Sequence, residues 1–277
     1  MSLSVETYET IAEAARAVGG AGGGAGGGAG GGDARYLAGG TLVMRAVNYG
    51  DQSFRRIVRT RDSAVRRIVG ASDRVEIGAG ATMADVIASR DAEFLAPVAR
   101  QIGGPAVRAM ATVGGNLFAE HPYGDFAAAL LALDGRARLA DGREMDLEQL
   151  FANRAGAGLV ASVSVARPRT GEFRWRKVSR VKPKGVSVMS IAAWLPGAPG
   201  RVAGARIAFG AMGPSPLRAK AAEQALEGAS LDESGIARAL GAATEGLAPV
   251  DDALASAWYR REVAPTHLKR LLLEGAR

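Results

Sequence analysis

Two short glycine-bearing segments, Leu37-Ala38-Gly39-Gly40-Thr41 and Ala111-Thr112-Val113-Gly114-Gly115-Asn116, constrain this chain more than any other feature. Each follows an apolar stretch and precedes a helical pattern. Adjacent glycines let a backbone pass close to a ligand and turn successive N–H groups toward negatively charged oxygen. One such turn carries little information. Two of them, followed by Pro122-Tyr123-Gly124-Asp125, outline a cradle for the pyrophosphate of a dinucleotide.

The chain has 277 residues, enough for two domains and a substantial core. With 48% apolar and 23% charged residues, it has the composition of a soluble globular protein. No apolar run is long enough to cross a bilayer, and the N-terminus lacks the basic start and apolar stretch of a secretion signal. A cytoplasmic location without membrane insertion is expected. Cysteine is absent, which removes disulfides and the thiolates that hold iron–sulfur clusters and most structural zinc. Only His121 and His267 supply imidazole, so no metal site is expected, and redox chemistry here would need an organic cofactor. The net charge of +7 is spread along the chain and mixed with acids, every lysine lies from Lys177 onward, and aromatics are scarce. Those features argue against a nucleic-acid surface.

Periodicity predicts an amphipathic helix over 6–18, with Ile11, Ala14, Ala15 and Val18 on one face. The Gly/Ala tract from Gly19 to Gly32 reads as a flexible loop, because its matches to GxGxxG lack a preceding strand and a following helix. A strand at 35–37 and a helix at 42–48 flank the first glycine motif. Further strands are predicted at 56–58, 68–69 and 75–77, then a helix capped by Thr82 and ending at Ser89, and another over 93–102. Asp125–Leu133 reads as a strongly apolar helix, followed by strands at 136–140 and 158–165. A polar, turn-rich stretch at 167–171 marks a boundary between domains 1–168 and 169–277. Beyond it the patterns give strands at 172–178, 186–195 and 201–210 and helices near 216–227, 231–245 and 253–274, a small α+β domain.

At these motifs the chain resembles the flavin-binding medium subunit of the molybdenum hydroxylases, the xanthine dehydrogenase and carbon monoxide dehydrogenase group. Ala38-Gly39-Gly40-Thr41 matches the family's first motif, Ala111–Asn116 its second, and Pro122 with Asp125 its Pro-x-x-Asp. The stretches from Phe173 through Lys177 to Arg180, from Phe209 to Arg218, and from Asp252 to Arg261 extend the match over nearly the whole chain. The resemblance implies an α+β fold: a two-lobed FAD-binding domain of the PCMH type, followed by a small C-terminal domain with a three-stranded sheet and helices that closes over the flavin. It implies that Leu37, Ala38, Gly39, Gly40, Thr41, Leu42 and Val43 line the pyrophosphate and ribityl chain, and that Thr112, Gly114, Gly115 and Asn116 form an opposing turn. Ile102, Gly103, Val107, Ala111, Phe118, Leu159 and Val160 match positions around the cofactor. Asp125 would accept a hydrogen bond from a sugar or ribityl hydroxyl, and Lys177 would reach the flavin. Partners would be a large molybdopterin-binding subunit and a small [2Fe–2S] subunit, assembled as a dimer of heterotrimers. The chain departs from the family at Leu42, where a polar residue is usual, and in the Gly/Ala tract.

The residue types suit that chemistry. Backbone N–H groups can meet a pyrophosphate at low side-chain entropy cost, whereas a carboxylate such as Asp125 suits hydroxyls. A cation such as Lys177 or Arg180 near the flavin would raise its reduction potential. No side chain need act as acid, base or nucleophile: the implied role is electron transfer from [2Fe–2S] clusters through FAD to an external acceptor. A stand-alone flavoenzyme of the same fold is the alternative, and a basic nucleic-acid-binding protein is a more distant one. Taken singly, Gly39-Gly40 is an ordinary turn, Asp125 a helix N-terminal residue, and Lys177 and Arg180 solvated charges. The joint spacing raises the glycine turns and Asp125 above those readings. His121 reads as a surface loop residue and His267 as structural.

Overall fold

A computed structural model of the chain describes residues 3–19, 33–181, 185–198 and 200–274. The elements run β1 (Ser4–Tyr8), α1 (Ile11–Gly19), β2 (Ala34–Tyr36), α2 (Val43–Asn48), β3 (Arg56–Thr60), β4 (Ile68–Gly70), β5 (Arg74–Gly78), α3 (Met83–Ala88), α4 (Ala96–Ala99), α5 (Pro105–Arg108) and α6 (Val113–Leu117). They continue with α7 (Asp125–Ala132), β6 (Arg136–Leu139), β7 (Glu144–Asp146), α8 (Leu147–Ala152), β8 (Val160–Ala166), β9 (Phe173–Ser179), β10 (Ser187–Trp194), β11 (Gly197–Ala198), β12 (Arg201–Val202) and β13 (Arg206–Gly210). β14 (Leu217–Arg218), α9 (Lys220–Leu226), α10 (Ala237–Gly241) and α11 (Ala257–Leu273) complete the chain. Two units result: Met1–Ala119 with Gly135–Val165, and Glu120–Asp134 with Ala166–Arg277. The sequence division at 168/169 is linear, whereas these units are not, because α7 packs against β10 and β13 of the second. No helix among the described residues is long and apolar enough to cross a membrane.

The first unit holds a parallel sheet in the order β1-β3-β2 and a five-stranded sheet in the order β4-β5-β8-β6-β7. The helix expected over 6–18 begins only at Ile11. Thr10 and Glu13 form a reciprocal cap, the Glu13 amide donating to Thr10 Oγ1 at 3.2 Å and the Thr10 amide to Glu13 Oε2 at 3.0 Å. Upstream of that stop, Ser4–Tyr8 pairs in parallel with Arg56–Thr60. Ala14 and Val18 of α1 then bury against Ala34, Val58 and Leu159. The Gly/Ala tract lies outside the described residues beyond Gly19.

A bidentate ion pair joins β1 to β3: Arg56 Nε and an Nη of Arg56 donate to the two Glu6 oxygens at 2.8 Å each. Arg56, helped by the Tyr8 hydroxyl, holds the Glu6 carboxyl down to about 2 from its ordinary 4.5. A carboxyl depressed in the folded state stabilises above its unfolded pKa and loses that contribution as pH falls from about 4.5 to about 2. Both side chains are about a third exposed, so the pair is worth at most ~1 kcal/mol. Glu6→Gln is therefore expected to lower the denaturant midpoint slightly at pH 7, with the gap closing as pH drops through that window. An undiminished gap at the acid end would contradict the assignment.

The second unit contains an antiparallel sheet in the order β14-β13-β10-β9 and a small β11-β12 ribbon. The three expected strands are present, with β14 added at the edge. Met189, Ile191, Ala193, Ile207 and Phe209 turn one sheet face into a core shared with α9, α10 and α11. The alternate residues of β10 and β13 face α7. Every residue of α7 is buried, and after Asp125 at its start all are apolar, as a helix enclosed on every side requires.

Several predicted spans are shortened by local polar locks. The strand expected over 201–210 is split at Gly204, whose φ is +70°. The 216–227 helix yields its first residues to β14. Of the helix expected over 231–245, only Ala237–Gly241 forms, because Asp232 accepts from the Ser234 and Gly235 amides and both neighbouring serine hydroxyls in a turn. The last helix begins at Ala257, capped by Ser256 Oγ at 3.1 Å from the Tyr259 amide.

Candidate functional site

The two glycine motifs both lie in the first unit, and there they touch. A Cβ on Gly39 would overlap the carbonyl oxygen of Met110 and lie 3.3 Å from Ala111 Cα. Only glycine permits that approach. Gly40 follows at φ +72°, a left-handed turn between β2 and α2. Among the described residues, the amides of Ala38, Gly39, Gly40, Thr41 and Leu42 have no hydrogen-bond acceptor in the protein. Ala38 is exposed and the other four are half-buried, so these donors are open to an outside acceptor, and a bent row of five fits the charged oxygens of a pyrophosphate. Leu42, the departure from the family pattern, adds its backbone to that row.

The second motif behaves differently from the expected opposing row of N–H groups. Gly114 and Gly115 sit inside α6. The amides of Val113, Gly114, Gly115 and Asn116 donate to Ala81 O, Ala79 O, Thr112 Oγ1 and Thr112 O, at 2.7–3.1 Å. Asn116 Nδ2 also turns back onto Thr112 O at 2.9 Å. The motif is thus a rigid floor whose amides are already used, with the buried Thr112 hydroxyl still able to donate. A Cβ on Gly115 would meet only Thr112 Oγ1, at 3.1 Å.

A third glycine segment, Gly78–Thr82, supports this floor. The Ala79 amide donates to Ala161 O of β8 at 2.9 Å, while Ala79 O receives the Gly114 amide. Thr82 and Asp85 form the capping box of α3, and Thr82 bridges Thr112. A Gly-Ala-Gly-Ala-Thr run between a strand and a capped helix was the sequence signal for this support. Ile102, Gly103 and Val107 lie before the second motif: Gly103, at φ +51°, packs on Val107, whose carbonyl accepts the Ala111 amide at 2.7 Å. The side chains of Val43, Phe118, Leu159 and Val160 are buried. Those of Val43 and Leu159 fill hydrophobic clusters.

Asp125 and Lys177 lie in the second unit and pair with each other. Lys177 Nζ is 2.9 Å from Asp125 Oδ2, with side chains only 6% and 11% exposed. Ser187 Oγ lies 2.7 and 2.8 Å from the two Asp125 oxygens. Sequence reading missed Ser187, one of two serines in an otherwise apolar strand. A carboxylate offers about four acceptor positions, so Asp125 retains capacity for one more hydroxyl. Arg180 is exposed and donates to Ala253 O at 3.4 Å.

His121 is not the surface loop residue expected. Its Nε2 lies 2.7 Å from Asp252 Oδ2, and its Nδ1 is buried without a partner among the described residues. Burial pushes the Asp252 carboxyl up, but His121, the Ala255 and Leu254 amides and Arg260 together hold it below the usual carboxylate range. His267 lies in α11, where burial, with Arg270 and Arg176 nearby, pushes its imidazole below the ordinary value. A charged histidine is disfavoured there.

Residues 5–165 match the family model of the FAD-binding domain in molybdopterin dehydrogenase, and residues 174–275 that of the CO dehydrogenase flavoprotein C-terminal domain. The xanthine dehydrogenase FAD-binding subunit of Escherichia coli O157:H7 is 26% identical over 258 residues, covering 87% of this chain and 88% of that protein. The nicotine 6-hydroxylase medium subunit of Paenarthrobacter nicotinovorans is 26% identical over 228 residues, covering 76% and 78%. Among solved structures, a chain of reconstituted CO dehydrogenase from Oligotropha carboxidovorans superposes with a TM-score of 0.84 at 26% identity, over 98% of this chain and 96% of that one. A fold shared with CO dehydrogenase and two family matches in series agree: the chain belongs to the FAD-binding flavoproteins of the molybdopterin dehydrogenases.

Proposed function

We propose that this chain is the flavoprotein of a cytoplasmic three-subunit molybdenum hydroxylase, taking electrons from [2Fe–2S] clusters on a small subunit and passing them to an external acceptor. A large molybdopterin-binding subunit would oxidise the substrate, and the assembly would be a dimer of heterotrimers. The observation that carries this reading is the row of unmatched amides from Ala38 to Leu42. Bound FAD supplies the electron exchange, so the chain's own residues bind and orient rather than move protons. The amide row holds the pyrophosphate, and Gly39 keeps it close to the second motif. Thr112 offers a hydroxyl donor, while Asp125 accepts from a sugar or ribityl hydroxyl. Lys177 is a further contact, and Ile102, Gly103, Val107 and Ala111 shape the approach. The absence of cysteine supports placing the clusters on another chain.

Co-expression with the two companion chains tests this. The purified assembly is expected to be yellow, and hydroxylase substrate should bleach the flavin absorbance only when all three chains are present. Bleaching by substrate with this chain alone would favour a stand-alone flavoenzyme instead.

A further inference from the structure

β10 begins irregularly, and the irregularity aims one side chain. Ser187 pairs with Ser179, Met189 with Val178, and Ser190 with Lys177, so two steps on β10 oppose one step on β9. That is a β-bulge at Val188. In an unbroken ladder Ser187 would share the face of Met189 and Ile191, which belongs to the core under α9, α10 and α11. The extra residue carries it to the face of Ser179 and Lys177. Arg260 pins the bulge, its Nε donating to Val188 O at 2.8 Å. Ser187, 1% exposed, then reaches both oxygens of the carboxylate that pairs with Lys177.

We infer that Ser187 is a positioning residue that fixes Asp125 against Lys177, so that the pair meets a bound flavin with its charges cancelled. The inference rests on reading Asp125 and Lys177 as cofactor contacts. Opposite charges 2.9 Å apart and shielded from water attract strongly, and at a distance their fields largely offset each other. Lys177 therefore does not act as the lone cation that would favour reduction. Asp125 restrains it, and Ser187 holds the restraint in place. The hydroxyl is the component that matters, because it lies within hydrogen-bond reach of both carboxylate oxygens.

The test uses the assembled complex and two readouts: FAD retained after desalting, and the two-electron reduction equilibrium against a dye of known potential. Asp125→Asn is expected to shift that equilibrium toward reduced flavin by about tenfold, about 30 mV. Ser187→Ala and the near-isosteric Ser187→Cys should shift it the same way by about threefold, about 15 mV, and Ser187→Thr should restore the wild-type value. Loss of FAD from the Ala and Cys variants with retention in the Thr variant would also support the inference. Unchanged potentials in the Ala and Cys variants, or a Thr variant that behaves like them, would overturn it. A wild-type complex that retains no FAD would instead overturn the functional reading on which the inference stands.

Discussion

Gly39→Val is expected to weaken FAD binding at least 100-fold, about 3 kcal/mol, in a titration of the apoprotein. Any side chain at this position must displace the carbonyl of Met110, a backbone atom that cannot rotate aside. The first motif is then pushed away from the second, and the backbone of residues 38–42 is displaced. Even Gly39→Ala should show most of the loss, since the first added atom already overlaps. Gly241→Ala is the matched control: nothing lies within 4 Å of a Cβ there, and affinity should not change. Equal affinities for Gly39→Ala and wild type would mean that the close approach plays no part in binding.

Arg260→Met is expected to cost about 2–3 kcal/mol of stability, the upper part of the range for leaving buried polar groups without a hydrogen-bond partner. Arg260 is fully buried and donates to Val188 O, Val250 O, Ala255 O and Asp252 Oδ2 at 2.6–2.8 Å. Removing the guanidinium takes the side-chain donor from three carbonyls and one of the partners from Asp252, which keeps His121 and the Leu254 and Ala255 amides. Methionine fills comparable volume, so the loss would report hydrogen bonding rather than a cavity. Adding Asp252→Asn to Arg260→Met should cost less than the two single losses summed, because the Arg260–Asp252 bond is already gone. A denaturant midpoint within a few tenths molar of wild type would show that the network contributes little. The same substitution frees the Val188 bulge, so FAD potential and stability should change together.

Local order in the sequence made the glycine motifs, the Thr82 cap, the apolar α7 and most strands legible. These features depend on residues within a few positions of one another. Residues 6–8 read as helical in the sequence because the strand character of Ser4–Tyr8 is expressed only beside β3, some fifty residues away. The Lys177–Asp125 pair and the His121–Asp252 pair likewise form only when distant segments meet. Ser187 could not be placed, since its face is decided by one extra residue in the strand. Arg260 stands in an Arg-Arg-Glu run of mixed charge, and only the tertiary fold shows it to be sealed from water. The second motif was recognised by residue type, yet its role as a floor rather than a donor row depends on Ala79 and Ala81.

Hydrogen exchange of the backbone, measured on the apoprotein before and after adding FAD, tests the central claim most directly. The amides of Ala38–Leu42, without acceptors among the described residues, should slow at least tenfold when the diphosphate binds, about 1.4 kcal/mol of protection. Those of Gly114–Asn116, already bonded within the chain, should change little. If FAD binds and residues 38–42 exchange as before, the pyrophosphate is held elsewhere and the proposed cradle is wrong.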